Sequence, residues 1–224
     1  DLELAASRGE IMLVIFDTWD YLSMRSPEVL EPKFSPVEQG HIFKKYLLLT
    51  RRGKGYETPA DLRKKEIAIL DNANVNMALP WLRVHLFENR LGKPEAFFGG
   101  ISIVTKPSLA VLPVFFGDKS ACVVDEPAFE VMTELNPQVG RNLQVMAASA
   151  AYLDSLVAFS RLGWTSEKHK QEMYRGLLEL HREPAGQQIL NMYKTTRLEP
   201  FQPSHLDTVR ELRAVHDRMQ GGGW

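Results

Sequence analysis

The sequence predicts an α/β fold built on open parallel or mixed sheets, and three observations carry that prediction. Short, continuous apolar runs recur along the first two thirds of the chain. Each run is followed by helical periodicity, the pattern of strands covered on both faces by crossover helices. Helix start signals stand between the runs, and this strand-then-helix alternation implies an open sheet rather than a bundle or a sandwich.

In chain order, residues 1–9 read as the end of an amphipathic helix that feeds the first run, Ile11–Phe16. A buried strand at this position needs sheet neighbours, so one or two strands are expected ahead of residue 1. The further runs are Tyr46–Thr50, Glu66–Leu70, Ile101–Val104, Ala121–Val124 and Leu143–Ala147. Thr58-Pro59-Ala60-Asp61 supplies a cap, a first-turn proline and an acidic residue for a helix start, and Pro127 opens another helix in the same way. No strand signal follows residue 162. Ser166–Arg182, Pro184–Met192 and Ser204–Gln220 read as three successive helices that cover a sheet formed earlier.

Composition narrows the function. The 44% hydrophobic and 25% charged residues are ordinary for a folded globular protein. With 27 basic against 28 acidic residues there is no positive field to draw in nucleic acid, so a charged ligand must be held locally. The single cysteine, Cys122, excludes an internal disulfide and a multi-cysteine metal site, and its place in an apolar run makes it a packing residue. No apolar run approaches the ~20 residues that span a bilayer. The six histidines are scattered, and neither a metal pair nor a Walker, Rossmann, nucleophile-elbow or zincin motif is present. Catalytic residues, metal ligands and cofactors are therefore not assigned.

The order of several segments resembles the type 2 periplasmic solute-binding proteins, and within them the phosphate, phosphite and phosphonate-binding branch. Leu4-Ala5-Ala6-Ser7-Arg8-Gly9-Glu10 ahead of Ile11–Phe16 is similar to the helix, glycine and strand that precede the ligand cleft. Lys45–Arg51 with Thr58–Lys65 resembles the hinge strand and the turn into the second lobe, and Phe116–Asp125 resembles the strand that follows a glycine turn. Leu135-Asn136-Pro137 through Ser149 is similar to the return to the first lobe, and Pro184–Leu190 to a late helix. The resemblance implies a two-lobed α/β fold with mixed sheets and a hinge, residues 1–55 and 146–224 forming lobe one and 56–145 lobe two. It also implies a further first-lobe segment ahead of residue 1, a periplasmic or extracytoplasmic location reached with a leader that this chain does not show, and two partners: a small anionic ligand and the membrane permease of an ABC transporter.

In such a fold the ligand sits at the C-terminal ends of strands, where helix N-termini present N–H groups to an anion. Three loops have that placement. Asp17–Tyr21 offers Thr18 as a donor and Trp19 or Tyr21 as walls, or else a helix cap with two aromatics in the core. Asp71–Asn76 offers the side-chain amides of Asn72, Asn74 and Asn76 where the family places a run of hydroxyls, against the alternative of a capping turn. Val104–Ser108 offers the Lys106 charge and the Ser108 hydroxyl, or else a solvated lysine. Asp125 ends its strand, placed either to bind a ligand amine or to cap the helix at Pro127.

The function this predicts is solute capture for ABC import, which needs no nucleophile or metal. The alternatives are a ligand-sensing domain of a signalling receptor, and an enzyme on the same fold using Asp17, Asp20 and Lys106 as acid-base groups.

Overall fold

The structure, a computed structural model, describes residues 2–72 and 77–221. In chain order the first half contains α1 (Leu2–Ser7), β1 (Leu13–Asp17), α2 (Thr18–Tyr21), β2 (Leu30–Val37), β3 (Tyr46–Arg51), β4 (Glu66–Leu70), α3 (Ala78–Glu88), α4 (Pro94–Phe97), β5 (Gly100–Val104) and α5 (Pro107–Phe116). The second half contains β6 (Ala121–Asp125), α6 (Glu126–Leu135), α7 (Pro137–Asn142), β7 (Leu143–Ala148), β8 (Ser155–Ser160), α8 (Glu167–Glu179), α9 (Pro184–Met192), β9 (Arg197–Pro200) and α10 (Asp207–Gly221). The expectations placed on Asn74 and Asn76 lie outside the described residues.

Two compact units result: Asp1–Phe43 with Leu153–Val209, and Lys44–Tyr152 with Arg210–Trp224. The crossings therefore fall after residues 43 and 152, where the sequence placed them after 55 and 145, and most of α10 falls in the second unit. Ladder hydrogen bonds explain the shift. β3 pairs with both β6 and β7, so the two strands read as hinge strands belong to one sheet, β3 inside it and β7 at its edge.

The first unit holds a sheet in the order β1-β8-β2-β9, antiparallel throughout. This differs from the parallel arrangement expected for Ile11–Phe16. Among the described residues β1 pairs with β8 alone, at the edge of the sheet; none of its own residues is buried, and Ile15 is 42% exposed. β9 corrects the expectation that strands stop after residue 162. It carries one buried apolar residue, Leu198, and is held by its ladder to β2. Amphipathic α8 lays Met173, Tyr174, Leu177 and Leu178 on a cluster around Phe34, Val157, Phe159 and Leu190. Phe34 stacks on Tyr174 with ring centroids 4.7 Å apart. Two residues beyond α1 the chain turns at Gly9, whose φ of 70° lies in the left-handed region, and a Cβ there would stand 2.9 Å from the Gly163 nitrogen.

The second unit holds a mixed sheet in the order β5-β4-β6-β3-β7. β4 pairs in parallel with β5 on one side and β6 on the other, while β3 runs antiparallel to β6 and β7. Four consecutive residues of β4, Ile67 to Leu70, are completely buried, so both faces of this strand are covered. β6 is buried along its whole length. Thr58–Asp61 forms the expected reciprocal cap, with the Asp61 carboxylate accepting from the Thr58 N–H at 2.7 Å, but it opens a 3-10 turn, Pro59–Leu62, instead of a full helix.

Candidate functional site

The parallel strands β5, β4 and β6 set the geometry of the second unit. Because they run the same way, the residues that follow them emerge at one edge of the sheet. Asp71 and Asn72 follow β4, Thr105 to Ser108 follow β5, and Asp125 ends β6. The loops are tied together there. The Asp71 N–H donates to the Val104 carbonyl at 2.9 Å, and the Asn72 side-chain amide donates to the Thr105 carbonyl at 3.1 Å. The antiparallel β3 brings its start to the same edge: Tyr46 stands opposite Asp125, and the Glu126 N–H donates to the Lys45 carbonyl at 2.8 Å.

Lys106 is the N-cap residue of α5, with extended backbone and its side chain exposed. Pro107 occupies the first helical position, where its fixed φ suits the helix and no amide is lost. Ser108 follows, half-buried, so a charged residue and a hydroxyl residue flank the start of α5, the end of a helix whose dipole favours an anion. Asp125 is 6% exposed and occupies the N-cap position of α6 without a side-chain capping hydrogen bond. Of the two readings for this residue, the capping one gains no bond.

The first unit places its residues differently. Thr18 is completely buried; its N–H donates to the Asp154 carbonyl at 2.9 Å, and its hydroxyl lies 2.5 Å from the Leu153 carbonyl and 3.2 Å from that of Asp154. That proton is committed to the backbone, which corrects the expectation of a ligand donor at Thr18. Tyr21 packs against the core cluster of Leu30, Leu153 and Leu156 and meets Phe16 edge to face. Trp19 is half-buried.

One residue at the second unit's edge was not singled out from sequence. Asp71 is half-buried at the end of β4, and burial raises its carboxyl above the usual range. Its signal was legible: an acidic residue in the first position after a completely buried parallel strand. Cys122 lies fully buried in β6, and burial pushes its thiol up, which leaves it protonated in a packing position. Among the described residues no group of three or more His, Cys, Asp or Glu side chains is arranged to hold a metal ion.

Strand-end loops around parallel strands, fed by helix N-termini, define the class of α/β binding proteins. Comparisons place the chain within it. Residues 2–206 match the model of the family described as ABC transporter, phosphonate, periplasmic substrate-binding protein, and the chain belongs to that family. It is thus a solute-binding component for ABC import. Among solved structures it is similar to a Xanthomonas citri protein bound to ATP, at 16% identity and a TM-score of 0.73, covering 98% of this chain and 82% of that one. It is also similar to a binding protein component of an ABC phosphonate transporter from Pseudomonas aeruginosa, at 11% identity and a TM-score of 0.67, over 97% and 72% of the two chains. A third is PhnD1 from Prochlorococcus marinus in complex with methylphosphonate, at 14% identity and a TM-score of 0.59, over 95% and 81%. These likenesses establish the periplasmic-binding-protein fold. No curated protein sequence matches the chain. Among the described residues no helix is long and apolar enough to cross a membrane.

Proposed function

We propose that this chain captures a small phosphonate- or phosphate-like anion outside the cytoplasm and presents it to a membrane permease, without chemically altering it. The observation that carries this reading is the Lys106 and Ser108 pair at the start of α5, on the strand-end edge that also holds Asn72. A point charge, a hydroxyl and a helix N-terminus form a donor set suited to a tetrahedral oxyanion. Membership of a phosphonate-binding family and a methylphosphonate-bound structural neighbour support the same ligand chemistry. In this reading Asn74 and Asn76, which lie between β4 and α3 in the sequence, add side-chain amides, and Asp71 and Asp125 pair with any cationic group on the ligand. The two units act as the lobes whose closure signals loading.

A thermal-shift series tests the proposal, since stabilisation follows RT ln(1 + [L]/Kd). Methylphosphonate or inorganic phosphate is expected to raise the melting temperature in a concentration-dependent way, with ATP and a cationic amino acid as comparison arms. Lys106→Ala is expected to weaken the preferred anion by roughly tenfold or more, about 1.4 kcal/mol. An unshifted melting temperature with both oxyanions, or a Lys106→Ala protein that binds as tightly as wild type, would sink the assignment.

A further inference from the structure

We infer that a second surface of the Lys44–Tyr152 unit receives a basic, apolar-tipped protein segment, and that this segment belongs to the permease; the identity of the partner rests on the import reading above. The surface is an open groove of about 710 Å³ between α6 and the strands β3 and β7. Leu47, Phe129 and Val145 give it an apolar floor, and Glu126, Glu130 and Glu134 line it from the helix side. None of Asn72, Lys106, Ser108 or Asp125 lines it.

Two features of α6 have no account within the fold itself. The helix is strongly amphipathic in pattern yet buries none of its ten residues, and Val131 and Leu135 are 40% and 79% exposed. β7, beside it, is the sheet's edge strand and leaves Val145 49% exposed. Val131 and Leu135 stand outside the groove's lining, whose own partly exposed apolar side chains are Phe129 and Val145, and an apolar strip of this kind is matched to a second surface. The glutamates at i, i+4 and i+8 lie on one face of the helix, an arrangement that repels itself along ~12 Å of axis. Among the described residues none of the three carboxylates takes part in a hydrogen bond or ion pair. Lys45 is the one basic residue of the lining, so the groove carries three negative charges against one positive. Its complement carries lysine or arginine around an apolar tip, which is the chemistry of a protein segment and opposite in sign to the anion expected at Lys106.

The test uses the whole chain and the permease–ATPase complex of the same transporter in lipid nanodiscs, with docking measured by surface plasmon resonance. Wild type is expected to dock with an affinity that falls as salt rises from roughly 50 to 300 mM. Glu130→Lys/Glu134→Lys is expected to lower affinity at low salt by roughly tenfold or more and to flatten that salt dependence. Glu130→Gln/Glu134→Gln should fall between the two and provides the readout if the double reversal folds poorly. Methylphosphonate binding measured by calorimetry on the same variants should be unchanged. Docking that both variants leave intact overturns the inference, as does wild type that does not dock. Sedimentation showing a wild-type dimer that the variants dissociate would also overturn it, assigning the groove to a second copy. Loss of methylphosphonate binding in wild type with docking preserved would count against the ligand assignment and leave the groove's role supported.

Discussion

The two units use the same chain chemistry to opposite ends. In the Lys44–Tyr152 unit, three parallel strands share a direction, so their C-terminal loops meet at one edge and Asn72, Lys106, Ser108 and Asp125 become neighbours in the sheet order. In the Asp1–Phe43 and Leu153–Val209 unit every strand pair is antiparallel, so strand ends alternate between edges and the residues predicted there come from the single Asp17–Tyr21 segment. Parallel topology gathers polar groups from distant sequence positions, whereas the antiparallel sheet spends its polar groups on holding itself together. Thr18, with both its N–H and its hydroxyl directed at the 153–154 backbone, exemplifies the second use.

The largest expected effect tests whether the units are separate in energy as well as in contacts. Phe34 is fully buried between Tyr174 and Phe159. Phe34→Ala should cost ~3–5 kcal/mol, mostly from the cavity it leaves. Amide hydrogen exchange should then show faster exchange along β2 and β8, while β4 and β6 keep their protection. Equal loss of protection in both sheets would break the comparison and make the chain a single cooperative unit.

The same contrast governs how much of the molecule was legible in its sequence. β4 and β6 were placed within a residue because they are buried on both faces and read as unbroken apolar runs. β2 was not, because LEPKFSPV carries two prolines, and a proline-bearing segment reads as loop. The fold accommodates it through a register shift between Pro32 and Phe34. β9 was invisible because RLEP has one apolar residue, its stability residing in the β2 ladder. At the site, the loops were legible from their position after strands, but side-chain use was not. Sequence could show that Thr18 follows a strand; only the fold shows the carbonyls of Leu153 and Asp154 waiting for it.

A middle-sized effect comes from the first unit's ion-pair network. Glu31 on β2 lies 2.5 Å from the Lys33 ammonium and 2.8 Å from that of Lys170 on α8. Burial alone would raise its carboxyl, but the hydrogen bonds and charges of Lys170 and Lys33 outweigh it and bring the value down to about 2. A depressed carboxyl contributes stability that is present above its ordinary value of 4.5 and is lost as pH falls toward about 2. Glu31→Gln should therefore cost about 2 kcal/mol at neutral pH and lose this part of the acid sensitivity. Denaturant titrations at a series of pH values check it, and parallel acid slopes for the two proteins would remove the network from the account.

The smallest effect has the opposite sign and belongs to the other unit. Burial raises the Asp71 carboxyl, with no compensating partner among the causes of its shift. A raised carboxyl is neutral in both states below its ordinary value of 3.8, so it carries no penalty there; stability is lost as pH rises through the folded value. Asp71→Asn should therefore stabilise the protein by a few tenths of a kcal/mol at neutral pH, the exposed part of the side chain limiting the gain. The advantage should fade as pH falls toward 3.8. A pH-independent difference would show that burial is not the cause. The predicted sign separates the two carboxylates by role. Glu31 sits where two lysines compensate its burial, while Asp71 is held partly dehydrated at a strand-end edge at a net cost, which is the arrangement expected of a group positioned for something outside the fold.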